Sequence, residues 1–139
     1  MTVPNDEGRV NLSEFHRQME YIVAQGVTTV THHDLAGWLY DGATLPERTV
    51  AIDFDDNRLN IFENAFPILQ EHGFRATVFT VTDLADRKPL PAMEVYPAMT
   101  WEHLGQLRDA GWCIAPHTRR HLFLTGPQQG VRDLDEVRD

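Results

Sequence analysis

Cysteine is almost missing from this chain. Cys113 is the only one, which excludes an intrachain disulfide and any metal site built from several thiolates; between Trp112 and Ile114 it reads as a small core residue. Serine is equally scarce. Ser13 stands alone at the start of a helical pattern, so a serine nucleophile has no candidate. No glycine-rich phosphate loop occurs, which removes the usual signature of a nucleotide enzyme. Positive charge is also thin: 12 basic residues face 21 acidic ones for a net charge of −9, and no basic run exceeds Arg119-Arg120. A nucleic-acid partner is therefore not expected. Apolar runs fall well short of the roughly 18 residues of a membrane span, and the opening MTVPNDEGRV lacks the basic and apolar regions of a signal peptide. As written, the chain is expected to be cytoplasmic, or secreted or periplasmic if its N-terminus was trimmed.

What is present is the composition of one soluble domain: 139 residues, 42% hydrophobic and 24% charged, with no repeat or linker, so residues 1–139 read as a single unit. The elements alternate. Ser13 is placed to cap a helix whose apolar stripe is Phe15, Met19, Ile22 and Val23, with Gly26 as its stop. Val27 to Thr31 reads as a short strand, and Asp34 to Tyr40 as a short helix closing near Asp41-Gly42. Thr49 to Phe54 is a second strand. Leu59 to His72 carries Phe62, Ala65, Phe66 and Leu69 on one helical face, with Pro67 expected to kink or divide it. ATVFTV, Ala76 to Val81, is a continuous apolar and β-branched run, the mark of a strand covered on both faces in a parallel sheet. Asp83 to Ala98 reads as an irregular connection, Thr100 caps a helix holding Trp101, Leu104 and Leu107, and Trp112 to Ala115 is a further strand. Trp38, Trp101 and Trp112 stand at core spacing, whereas His16, His72 and His103 read as surface. The charged tail Val131 to Asp139 reads as a solvated helix.

Strand and helix in alternation mean βαβ units and an α/β fold, in which sites form beyond the carboxyl ends of the strands. Two clusters fall there. IDFDDN, Ile52 to Asn57, ends a strand with Asp53, Asp55 and Asp56, and HTRRH, His117 to His121, follows the last strand. A helical turn would aim His117 and His121 the same way, a geometry suited to one transition-metal ion. Among seven histidines, such a pair alone carries little weight. A zinc protease would need Glu directly after the first histidine, where Thr118 stands. The aspartates supply what the pair lacks, an oxygen ligand and a base, and adjacent carboxylates raise each other's proton affinity unless a cation sits beside them.

These residues resemble the polysaccharide deacetylases of carbohydrate esterase family four, metal-dependent amidohydrolases that remove N-acetyl groups from amino sugars. The family's first motif is [Thr/Ser]-Phe-Asp-Asp-Gly, here DFDDN; its second is His-[Ser/Thr]-x-x-His, here HTRRH, followed by Leu124 and Thr125. FENAFPILQEHGFRATVFTVT, MTWEHLGQLRDAGWCIAPHTRRH and FHRQMEYIVAQGVTTVTHHDLAGWLYDG are also similar to family segments. The resemblance implies a partial, distorted (β/α) barrel of the polysaccharide deacetylase type, present as its N-terminal half and incomplete at the C-terminus. It implies Asp56, His117 and His121 as ligands of a divalent metal, most often zinc, and Asp55 as the general base. Either aspartate can also cap the following helix or face its dipole.

Three departures stand out. Asp53 replaces a small hydroxyl residue and adds a third charge with no evident partner, Asn57 replaces glycine in a turn that asks for left-handed backbone, and Ala115-Pro116 stiffens the approach to His117. The family's late general acid and acetate-pocket residues have no counterpart in these 139 positions, a full eight-stranded barrel needing about 250 residues. Open sheet edges on a half-barrel favour a homo-oligomer. An N-acetylated carbohydrate is the expected partner. The readings that stay open beside a catalytic deacetylase are a non-catalytic module binding metal or glycan, and a related amidohydrolase acting on small cyclic amides.

Overall fold

Threonine- and valine-rich runs form three of the five strands, and side-chain caps open the two longest helices, in a computed structural model that describes residues 11–90 and 97–122. In chain order these are α1 (Leu12–Ala24), β1 (Thr28–Val30), α2 (His32–Asp41), β2 (Thr49–Ala51), β3 (Asp53–Asp55), a π-helical turn (Ile61–Ala65), α3 (Phe66–Glu71), β4 (Thr77–Thr80), α4 (Thr82–Ala85), α5 (Trp101–Asp109) and β5 (Cys113–Pro116). Every strand pairing is parallel: β1 with β2, and β3 with β4 and β4 with β5. This bears out the α/β expectation.

The strand expected over Thr49 to Phe54 is divided at Ile52. Before it the chain pairs with β1; after it the chain pairs with β4, and the Ile52 carbonyl accepts the Thr77 N–H at 2.9 Å. The change of partner staggers one sheet against the next, as a curving parallel sheet requires. The helix expected from Leu59 to His72 is likewise divided. Pro67 has no N–H and its ring crowds the preceding turn, so the chain widens into a π-helical turn in which the Phe66 N–H reaches back to Ile61.

Other boundaries shift for local reasons. The α1 cap is Asn11 rather than Ser13: the Asn11 side chain accepts the Glu14 N–H at 2.8 Å and Ser13 bonds to Asn11. Thr31 caps α2 in a reciprocal arrangement with Asp34, so that helix starts at His32, and it stops at Gly42 in left-handed backbone, φ 73°. A short α4 opens the connection read as irregular.

The core lies on one face of the three-stranded sheet. Val78, Leu69, Met99, Leu104 and Leu107 are fully buried there, and Phe54 stacks on Trp112 at 5.7 Å between ring centroids. Trp112 is buried as expected; Trp38 and Trp101 are 53% and 49% exposed and cover rather than fill. His16, His72 and His103 are half-buried rather than on the surface, with His16 against His72 and His103 against Phe62. Cys113 is half-buried on β5, in the face that carries Thr77 and Phe79, and is no core residue. By alternation Asp53 and Asp55 point to that same open face and are exposed. Leu124, Thr125 and the expected helix at 131–139 lie outside the described residues.

Candidate metal centre

Sheet order brings the two motifs together. β3 ends at Asp55 and β5 ends at Pro116, with β4 between them, so Asp56 and His117 leave strand ends on either side of β4. At the first of these ends the backbone turns sharply: Asp56 and Asn57 both take positive φ, 69° and 37°. Left-handed backbone costs a residue with a side chain about 1–3 kcal/mol and persists only where the surroundings enforce it. Asn57 enforces it. Its side chain is fully buried, its Oδ1 accepts the Val81 N–H at 3.0 Å, its Nδ2 donates to the Met99 carbonyl at 3.2 Å, and its own carbonyl accepts the Met99 N–H at 2.7 Å. Asparagine thus replaces glycine with a residue that both tolerates the turn and ties it to β4.

At the second end the ladder continues for one residue, the His117 N–H donating to Thr80 at 2.8 Å. No helical turn forms over His117 to His121. Thr118 and His121 have φ of 60° and 55°, and the Thr118 hydroxyl accepts the Leu122 N–H at 3.0 Å. The loop nonetheless brings the two imidazoles to 5.0 Å between centroids. Backbone reversals, rather than helical spacing, align them.

Both rings face Asp56. Its Oδ1 lies 3.2 Å from His121 Nε2 and 3.6 Å from His117 Nε2, while Oδ2 accepts from Arg58 at 3.0 Å. Oδ1 is buried and takes part in no hydrogen bond despite these neighbours. One ligand atom from each of Asp56, His117 and His121 lies within 4.8 Å of the others. Ligand atoms about 2.1 Å from a tetrahedral ion stand about 3.4 Å from one another, so the spacing and the donor set fit a divalent transition metal. Buried between two imidazoles and making no hydrogen bond, Oδ1 is the oxygen of Asp56 that faces the position an ion would take.

Asp55 stays outside this cluster, exposed and adjacent to it in the chain. Asp53, which lacked an evident partner, has one: His32 Nε2 is 3.0 Å from its Oδ2. His32 packs edge-on against Phe79, whose ring also meets His117 at 6.4 Å. Nothing in the sequence paired His32 with Asp53, because their proximity depends on β1 and β3 flanking one stagger.

Over residues 42–138 the chain matches the polysaccharide deacetylase family. It belongs to that family. Among curated proteins, the Bacillus subtilis putative polysaccharide deacetylase YxkH is 29% identical over 91% of this chain and 43% of its own length. The Staphylococcus aureus poly-beta-1,6-N-acetyl-D-glucosamine N-deacetylase is 30% identical over 91% of this chain and 46% of its own. The Streptococcus pyogenes deacetylase PplD, solved in complex with acetate, superposes with a TM-score of 0.71 at 19% identity, covering 92% of this chain and 57% of that one. The chain therefore spans less than half the length of the curated relatives it matches, and its fold is part of the family's (β/α) barrel. Family members are metal-dependent, and Asp56, His117 and His121 are where the described residues could hold an ion. Among the described residues no helix is long and apolar enough to cross a membrane.

Proposed function

We propose that this chain carries the metal-binding part of an amidohydrolase that removes N-acetyl groups from amino-sugar polymers, with zinc as its ion. The observation that carries the reading is the orphaned Asp56 Oδ1 facing both imidazoles. Asp56, His117 and His121 would hold the ion, and Arg58 fixes the second oxygen of Asp56 so that the first stays aimed at the histidines. When bound, the ion polarises the acetamide carbonyl and lowers the pKa of a water toward about 7.

Asp55 is the general base. It stands next to a ligand on the open face of the sheet, exposed and held by no ion pair or hydrogen bond among the described contacts, so its carboxylate is available to take the proton of an attacking water. Acetate and a free amine are the products. Support for the substrate class comes from the relatives, one named for poly-beta-1,6-N-acetyl-D-glucosamine and one solved with acetate.

The test is elemental analysis of the purified chain beside a His117→Ala, His121→Ala variant, followed by amine release from N-acetylglucosamine oligomers. Near-stoichiometric zinc that disappears in the variant supports the centre, and amine release supports the reaction. Zinc without turnover would favour the non-catalytic module; no metal even after added zinc would remove the metal-dependent reading.

A further inference from the structure

Asp83 is the only buried charged side chain among the described residues, 6% exposed. Its Oδ1 accepts from Arg119 Nε at 3.1 Å and from Lys88 Nζ at 3.0 Å, and its own N–H donates to the Arg119 carbonyl at 3.0 Å. Arg119 lies between His117 and His121. One residue on α4 thus grips the middle of the histidine loop by both main chain and side chain. Two positions earlier, the Val81 N–H is bonded to Asn57, next to Asp56. The segment from Val81 to Asp83 therefore touches both ligand-bearing segments while donating no ligand itself.

We propose that Asp83 is a positioning residue for the metal centre, acting through Arg119 to hold His117 and His121 at the spacing an ion requires. The inference rests on the metal-dependent hydrolase reading. A loop with left-handed backbone at Thr118 and at His121 has no helical ladder to fix it, so its geometry depends on anchors of this kind. The anchor is ionic at neutral pH: burial pushes the Asp83 carboxyl up, but the bonds from Lys88 and Arg119 outweigh burial and hold it below the usual carboxylate range. Groups that orient metal ligands commonly govern affinity although they never touch the ion.

The experiment measures zinc affinity of the 139-residue chain by chelator competition, together with the visible spectrum of the cobalt-loaded protein, which reports ligand geometry. Asp83→Asn is expected to weaken zinc binding roughly 10- to 100-fold and to shift the cobalt bands. Arg119→Gln should do the same, and the two effects should combine to less than their sum, because the two residues share a contact. Lys88→Met removes the other partner of Asp83 without touching the loop and should leave zinc affinity within about twofold of wild type. Wild-type affinity and spectrum in Asp83→Asn would overturn the proposal. So would a Lys88→Met defect as large as that of Asp83→Asn, since affinity would then follow general stability. If Asp83→Asn does not fold, Arg119→Gln decides by the same criterion. A wild-type chain that takes up neither ion overturns this inference and the hydrolase reading together, whereas zinc binding that ignores Asp83 overturns this inference alone.

Discussion

The two faces of the three-stranded sheet are built on opposite principles. On one, Phe54 and Val78 pack against Leu69, Leu107 and Trp112 in a dry layer. On the other, Asp53, Asp55, Thr77 and Phe79 stand beside His32 and lead up to Asp56 and His117. Alternation along β3 assigns neighbouring residues to the two faces: Phe54 holds the fold while Asp55, one position on, stands on the face proposed to carry the chemistry. Stability and reactivity are thus separable at single-residue resolution, and substitutions can probe each face alone.

The largest effect is expected on the reactive face. Asp55→Asn should keep zinc but lower amine release at least about 100-fold, the usual worth of a positioned base, whereas Asp56→Ala should lose the zinc itself; metal analysis beside a turnover assay separates them. Next comes the packed face: Leu107→Ala should cost about 2–5 kcal/mol in chemical denaturation while the folded fraction still binds zinc as before. Asn57→Gly tests the junction. Glycine relieves left-handed strain of about 1 kcal/mol, but it strands the buried Val81 N–H and Met99 carbonyl at about 1–3 kcal/mol each, so a net loss of stability is expected, with weaker zinc binding as well.

Acid should follow in size. The Asp83 and Asp34 carboxyls are each pushed up by burial, but the bonds to Lys88 and Arg119, and to Thr31 and Arg75, outweigh it and hold both below their ordinary value of 3.8. The folded chain therefore binds these protons more weakly than the unfolded one. Their contribution is complete above pH about 4 and is lost as pH falls through the lower folded values, which thermal melts from pH 6 to pH 3 would show. The smallest effect is expected for His32→Phe, which keeps an aromatic ring beside Phe79 and gives up only a half-exposed bond to Asp53, a change of about 1 kcal/mol or less.

The packed face was legible in the sequence because apolar periodicity reports burial directly: ATVFTV became β4, and Leu104 and Leu107 became the buried stripe of α5. The proposed ligands stand in motifs that resemble a known family, and the fold brings them together. The means of holding them was not legible. Asn57 looked like a tolerated stand-in for glycine, yet it is the buried tie between β3 and β4, and Asp83 looked like loop charge, yet it grips the histidine loop. Such roles depend on which strand ends become neighbours, a property of topology rather than of local pattern. The same limit explains the exposed tryptophans, since helical spacing names a face but not what covers it.

The order β3, β4, β5 also fixes when the centre can exist. Asp56 follows the first of these strands and both histidines follow the last, so a chain whose final strand has not docked presents a lone carboxylate and two scattered imidazoles. If the proposed centre binds its ion, ion capture reports that these three strands have docked. By linkage, zinc bound there should raise the thermal midpoint with the logarithm of its concentration, drawing slowly assembling molecules toward the docked state.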